Sequence, residues 1–198
     1  MAIRAVFFDL GGVIVRTEFQ SPRQHLAERL NQEYEDLVRL VFESETSRMA
    51  SLGKLSVEEH WAAVVEKLHL PVTESKAVYA EFFAGDFLDR ELVAFIDSLR
   101  PAHKTGLITN AWGDMRSYLG REKVTGAFDV LIVSAEVGVL KPQPRIYELA
   151  LAQAGVTAQE AIFVDDTAVN VEAAAKLGMT GILFKDREQT ISEINRLI

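Results

Sequence analysis

Residues 5–13 read Ala5-Val6-Phe7-Phe8-Asp9-Leu10-Gly11-Gly12-Val13, an apolar run that delivers one carboxylate into a glycine turn. Burying an unpaired carboxylate is costly, so a strand that ends on a charge needs a reason for carrying it. In open parallel α/β sheets the usual reason is a site, because ligands bind outside the carboxyl ends of the strands. Position 11 is glycine, so a second acid two residues past Asp9, which would suit general acid–base work, is missing.

Residues 3–8 share their character with four later runs, 105–109, 130–133, 161–164 and 181–184. Each is short, continuous rather than alternating, and rich in Val, Ile or Phe, as strands buried on both faces are. Helical patterns separate the last four runs. Strands alternating with helices predict βαβ units, hence an α/β protein with a parallel sheet. Residues 17–88 contain no convincing strand. There Leu26 and Leu30 share a helical face, as do Leu37, Leu40 and Val41, and Val78, Phe82 and Phe83 mark another helix. Gly53 breaks the chain before a capping-box pair, Ser56 and Glu59, which opens a helix with Trp61, Val64, Val65 and Leu68 on its apolar side. So long a helical stretch exceeds an ordinary crossover. The expected organisation is therefore a core made of residues 1–16 and 89–198, with an inserted all-α cap at 17–88. The linkers are expected near 15–18 and 85–89, and a helix over 90–99 returns to the sheet.

Composition narrows the function. The chain has 198 residues, 48% of them apolar, enough for a substantial core in one domain, with or without an insertion. A net charge of −8 argues against a nucleic-acid surface, which needs a basic stripe. It leaves room for a phosphorylated substrate in a locally positive site. With no cysteine, disulfides, thiolate nucleophiles and thiolate-ligated metals are excluded. His25, His60, His69 and His103 are scattered without metal-ligand spacing and are expected as solvated surface or helix residues. No run approaches the roughly 18 apolar residues of a membrane span, and no secretory leader is evident. The expectation is a cytoplasmic protein with no membrane or nucleic-acid partner, as a monomer or homodimer.

Four pieces adjoin expected strands: Asp9-Leu-Gly-Gly-Val13, Leu107-Ile-Thr-Asn110, Lys141-Pro-Gln-Pro-Arg-Ile-Tyr147 and Phe163-Val-Asp-Asp-Thr-Ala-Val-Asn170. Three carboxylates, Asp9, Asp165 and Asp166, at one end of a sheet repel strongly at low dielectric and need a cation. Oxygen ligands without His or Cys suit a hard ion, and magnesium fits best. Lys141 adds a second positive charge. Thr109 and Asn110 can donate to phosphate oxygens, and Gly11 and Gly12 let the backbone approach a ligand. With these parts Asp9 can attack phosphorus and form an aspartyl phosphate, while magnesium and Lys141 neutralise the equatorial oxygens.

In this order the four pieces resemble the motifs of the haloacid dehalogenase-like hydrolase superfamily. The match spans nearly the whole chain, and Lys-Pro-x-Pro-x-Ile-Tyr and Asp-Asp-x-x-x-Asn-Val-Glu-Ala-Ala are its long signatures. The resemblance implies a Rossmann-like core and a C1-type helical cap. It implies Asp9 as nucleophile and magnesium ligand, the Gly11 carbonyl on magnesium, Thr109 on phosphate and Lys141 paired with Asp9 and phosphate. It also implies Asp166 as a direct magnesium ligand, Asp165 as a direct or water-mediated one, and Asn170 behind them. Most phosphatases of the superfamily carry Asp where this chain has Gly11, and that Asp protonates the leaving group, a contribution of roughly 10²–10⁴ in rate. The Asp-Leu-Gly-(Gly/Asn)-Val form is similar to bacterial α-glucose-1-phosphate phosphatases. An anomeric phosphate leaves more readily than an ordinary alcohol, which points to small phosphorylated metabolites such as sugar phosphates. Arg16 stands where relatives often carry Asp and is a candidate contact for a substrate anion. Two alternatives are a metal-independent 2-haloacid dehalogenase and a catalytically weak phospho-ligand-binding pseudo-enzyme.

Overall fold

The computed structural model describes residues 2–198. Its core is a five-stranded parallel sheet ordered β5-β4-β1-β6-β7, formed by β1 (Ala5–Phe8), β4 (Lys104–Thr109), β5 (Val130–Val133), β6 (Ala161–Asp165) and β7 (Thr180–Leu183). This is the expected α/β sheet with its Rossmann-like parallel order, and all five expected runs are strands. β1 lies at the centre, with Phe8 level with Leu107 on one side and Val164 on the other. Every residue of β1 and β6 is buried, because helices cover both faces. On one face Val6, Phe8, Leu107 and Val164 pack with α6 (Arg90–Ser98) and α11 (Arg187–Leu197) through Leu92, Ile96 and Ile194. On the other, Phe7, Ile108 and Phe163 pack with α9 (Pro144–Ala154) and α10 (Ala168–Lys176) through Ile146, Tyr147 and Ala174. The short helices α7 (Met115–Arg121) and α8 (Ser134–Val137) follow β4 and β5.

Between β1 and α6 lie five helices, α1 (Ser21–Arg29), α2 (Tyr34–Phe42), α3 (Glu45–Ser51), α4 (Val57–Lys67) and α5 (Ser75–Phe82). They bury a cluster of their own that includes Leu26, Leu37, Val41, Trp61, Val64 and Phe82. The α4 capping box forms as its spacing predicts: the Glu59 amide donates to Ser56 Oγ at 3.1 Å and the Ser56 amide donates to Glu59 Oε2 at 2.7 Å. Among the described residues no helix is long and apolar enough to cross a membrane.

Two details depart from the sequence reading. The stretches expected as plain linkers pair with each other as an antiparallel ribbon of β2 (Val15–Thr17) and β3 (Asp86–Leu88). Their three-residue length and mixed polarity carry no strand pattern, and the partner lies some 70 residues away, so only tertiary structure defines them. His60, expected as a solvated histidine, is fully buried. Its ring nitrogens sit 2.9 Å from Thr46 Oγ1 and 3.1 Å from the Val41 carbonyl, and burial holds its pKa below the usual value.

Candidate active site

Register decides what the sheet presents at its carboxyl edge. Because Phe8 is level with Val164, the next residues, Asp9 and Asp165, emerge side by side, and Thr109 ends β4 on the other flank of β1. After β1 the chain continues to β4 on one side, and it later returns to β6 on the other. The crevice between them is the topological switch point where such sheets bind ligands.

Lys141 is the centre of charge. It is 4% exposed, and its Nζ lies 2.7 Å from Asp9 Oδ1 and 2.6 Å from Asp165 Oδ2. Burial pushes the Asp9 carboxyl up to about 6, the Lys141 ammonium works against that rise, and the Asp165 charge adds to it. Asp165 is fully buried and saturated. Besides Lys141 it accepts from Asn170 Nδ2 at 3.1 and 3.2 Å and from the Thr167 amide at 2.8 Å. Tyr147 Oη donates to the Asn170 carbonyl at 3.0 Å and anchors the first turn of α10 from the core. Asp166 is the exposed acid of the trio, and burial of its carboxyl followed by the neighbouring Asp165 charge raises its pKa. Carboxylate oxygens of Asp9, Asp165 and Asp166 all lie within 4.8 Å of one another. With three ionised carboxylates against one ammonium, an all-oxygen, net-negative cluster fits a hard divalent cation.

The glycines divide the work. Gly12 has φ +76°, and a Cβ there would stand 1.9 Å from Asp166 Oδ2, so this position must be bare for Asp166 to reach the cluster. A Cβ at Gly11 would meet no heavy atom within 4 Å. A side chain could therefore begin at this position without meeting a neighbour at its Cβ.

Two of the expected substrate contacts, Asn110 and Arg16, line the cavity and also bond within the protein. Asn110 pairs with the Lys141 backbone: Nδ2 donates to the Lys141 carbonyl at 3.0 Å, and the Lys141 amide donates to Oδ1 at 2.8 Å. It fixes the lysine backbone and keeps its second amide hydrogen at the cavity wall. Arg16 donates to Asp89 Oδ2 at 2.8 Å and to the Val13 carbonyl, and its guanidinium lies over the Phe184 ring at 5.5 Å. Asp89 is buried and also receives the Leu92 amide and Arg187. Burial alone would raise its pKa, but these donors together hold it below the usual carboxylate range. Arg16 therefore ties the ribbon to the sheet. Thr109, by contrast, is 2% exposed and its hydroxyl has no protein partner among the described residues. Ser134, which no motif signals, accepts from the Ala111 amide at 3.0 Å and donates to the Ala111 carbonyl at 3.2 Å, pinning the loop after Thr109.

A cavity of about 980 Å³ opens from this crevice. Gly11, Gly12 and Thr109 form its floor, and Trp112, Tyr118 and Phe83 are among its walls.

Residues 3–178 match the model of the haloacid dehalogenase-like hydrolase family. The chain is 25% identical over its full length to bifunctional epoxide hydrolase 2 of Rattus norvegicus, but it spans only 39% of that relative. It is 26% identical to the sesquiterpene phosphatase astK of Aspergillus oryzae, over 98% of this chain and 96% of that protein. The fold superimposes on an enzyme of the same family from Bacteroides thetaiotaomicron, solved with magnesium and inorganic phosphate. The TM-score is 0.80 at 20% identity, over 93% of this chain and 95% of that one.

Proposed function

The chain belongs to the haloacid dehalogenase-like hydrolase family, and we propose that within it the protein is a magnesium-dependent phosphatase of small phosphorylated molecules, working through an aspartyl phosphate on Asp9. One observation carries the reading: the Lys141 ammonium wedged between Asp9 and Asp165, with Asp166 completing a carboxylate cluster within 4.8 Å. A metal-independent dehalogenase has no use for the excess negative charge of that cluster. A pure binding protein has no use for a nucleophile held this tightly. The phosphatase relative and the magnesium–phosphate complex of the structural neighbour point the same way.

Asp9 and Asp166 would hold magnesium, with the Gly11 carbonyl, and Asp165 would support them. Once bound, the ion would neutralise charge on the phosphate oxygens. The chain's own groups do the rest. The Leu10 amide donates to Asp9 Oδ1 at 2.7 Å and, with Lys141, leaves Oδ2 as the attacking oxygen. Lys141 and the Thr109 hydroxyl bind the transferring group. The bond from phosphorus to the ester oxygen breaks as Asp9 forms its acyl phosphate, the leaving oxygen takes a proton, and water then releases inorganic phosphate. The helices α1–α5 serve as the cap, hinged on the β2–β3 ribbon.

With Gly11 in place of an acid, the proton for the leaving group must come from water, which selects esters with good leaving groups: anomeric sugar phosphates or others of comparable acidity. The test is turnover of phenyl phosphate with magnesium and with a chelator. Magnesium-dependent release of phosphate that is lost in Asp9→Asn is expected. Turnover that survives the chelator or the substitution would overturn the reading.

A further inference from the structure

The 980 Å³ cavity above Gly11 and Gly12 is walled by a group of aromatic side chains with Met115 beside them. Phe42, 44% exposed, stacks at 23° on Trp112 with centroids 6.3 Å apart, and Phe83 meets both edge-on at 6.0 and 6.2 Å. An exposed aromatic cluster of this kind, continuous with a reaction centre, provides apolar area for a ligand to bury.

Several polar side chains of the same wall are engaged by the protein, while the Tyr79, Tyr118 and Ser51 hydroxyls are not hydrogen-bonded among the described residues. Arg23 pairs with Asp86 at 2.8 Å, donates to the Phe82 carbonyl at 2.9 Å, and lies 4.3 Å from the Phe82 ring centroid. Thr17 donates to Asp86 at 2.8 Å, and Ser47 donates to the Phe42 carbonyl at 3.0 Å. Asn110 pairs with the Lys141 backbone. Where a hydroxyl-rich substrate met these engaged groups and the aromatic faces, it would give up water without a partner in return, at a cost for every unpaired group. Glu43 and Arg48 have no side-chain partner among the described residues, and both are exposed. Burial raises the pKa values of Asp86, Asp114, Tyr79 and Tyr118.

We infer that the substrate is a monophosphate ester with an apolar, aromatic-sized leaving group that packs between α7 and the helices α2 and α5, and not a polyhydroxylated sugar. The inference rests on the phosphatase reading and adds its substrate class. It also fits Gly11, because an aryl oxygen is a good leaving group. The ester bond breaks to give an aryloxide that takes its proton from water, and the phosphoryl group passes to Asp9 and then to water.

A series of 4-alkylphenyl phosphates, methyl to butyl, tests it with leaving-group acidity held constant. With magnesium present, kcat/KM should rise about three- to fourfold for each methylene buried. The 4-(hydroxymethyl)phenyl ester should fall well below the 4-ethylphenyl ester of similar size. In Met115→Gln and in Tyr118→Gln the rise per methylene should flatten. A flat series, a preference for the hydroxymethyl ester or for glucose 1-phosphate, or a slope untouched by both substitutions would overturn the inference while leaving the phosphatase reading standing. Failure to hydrolyse phenyl phosphate or acetyl phosphate at all would instead sink the phosphatase reading, and this inference with it.

Discussion

Gly11 is the residue on which the chemistry turns. On the proposed reading its carbonyl would face the metal, while glycine offers no side chain to donate a proton beside Asp9. A side chain could begin here: an added Cβ would touch nothing within 4 Å, and φ at this position is outside the left-handed region. Gly11→Asp is therefore expected to fold. It should raise kcat for esters of ordinary alkyl alcohols by roughly 10²–10⁴ while changing aryl esters little, because only the former need the proton. Steady-state kinetics on a matched alkyl and aryl pair checks this. Equal effects on both, or none on the alkyl ester, would show that protonation is not what limits the native enzyme. Gly12 next to it does a different job, since Asp166 occupies the volume a side chain would take. Two adjacent glycines in one motif thus have separate physical reasons, one an absent function and the other a close approach.

At the scale of elements, the β2–β3 ribbon is the joint between the helical segment and the sheet, and Asp89 is its anchor. This buried carboxylate caps α6 through the Leu92 amide at 2.9 Å and receives Arg16 at 2.8 Å and Arg187 at 3.0 Å. Its pKa is depressed in the folded state, so its contribution to stability is present above the unfolded value near 3.8 and is lost as pH falls through the folded one. Asp89→Asn should cost roughly 3 kcal/mol at pH 7, in the range for breaking a buried charged pair. The gap to the wild type should narrow as pH drops below 4, as urea unfolding at the two pH values would show. A gap independent of pH would mean that the carboxylate's charge is not what the arginines answer to.

The same elements show what could be read in advance. All five sheet strands announced themselves, because strands buried on both faces must be continuously apolar. The α4 cap was legible because both of its partners lie within four residues. Asp9, Lys141, Asp165 and Asp166 stood out because charges at the ends of apolar runs conflict with burial. The ribbon, Ser134 and the clamp of Asn110 on Lys141 did not, because each is defined by a partner distant in sequence and by residue types that are unremarkable in loops. The Arg16 contact with Asp89 is hidden for the same reason: the chain shows a charge near the site, and only the fold supplies Asp89 to meet it.

At the scale of the whole molecule, an acidic protein gathers its chemistry at one point where three carboxylates, one buried ammonium and a free threonine hydroxyl meet at the carboxyl edge of the sheet, beneath an aromatic-walled cavity. The sheet fixes Asp9, the proposed nucleophile, and the helices above it line the cavity proposed for the leaving group. The account stands or falls on the covalent step. Acid quenching during turnover of a phosphate-labelled aryl ester should trap a magnesium-dependent phosphoenzyme that hydroxylamine cleaves, as it does acyl phosphates. Peptide mapping after borohydride reduction should place it on Asp9, and Asp9→Asn should give no label. Active enzyme that yields no acyl phosphate, or that carries it on another residue, would contradict the account.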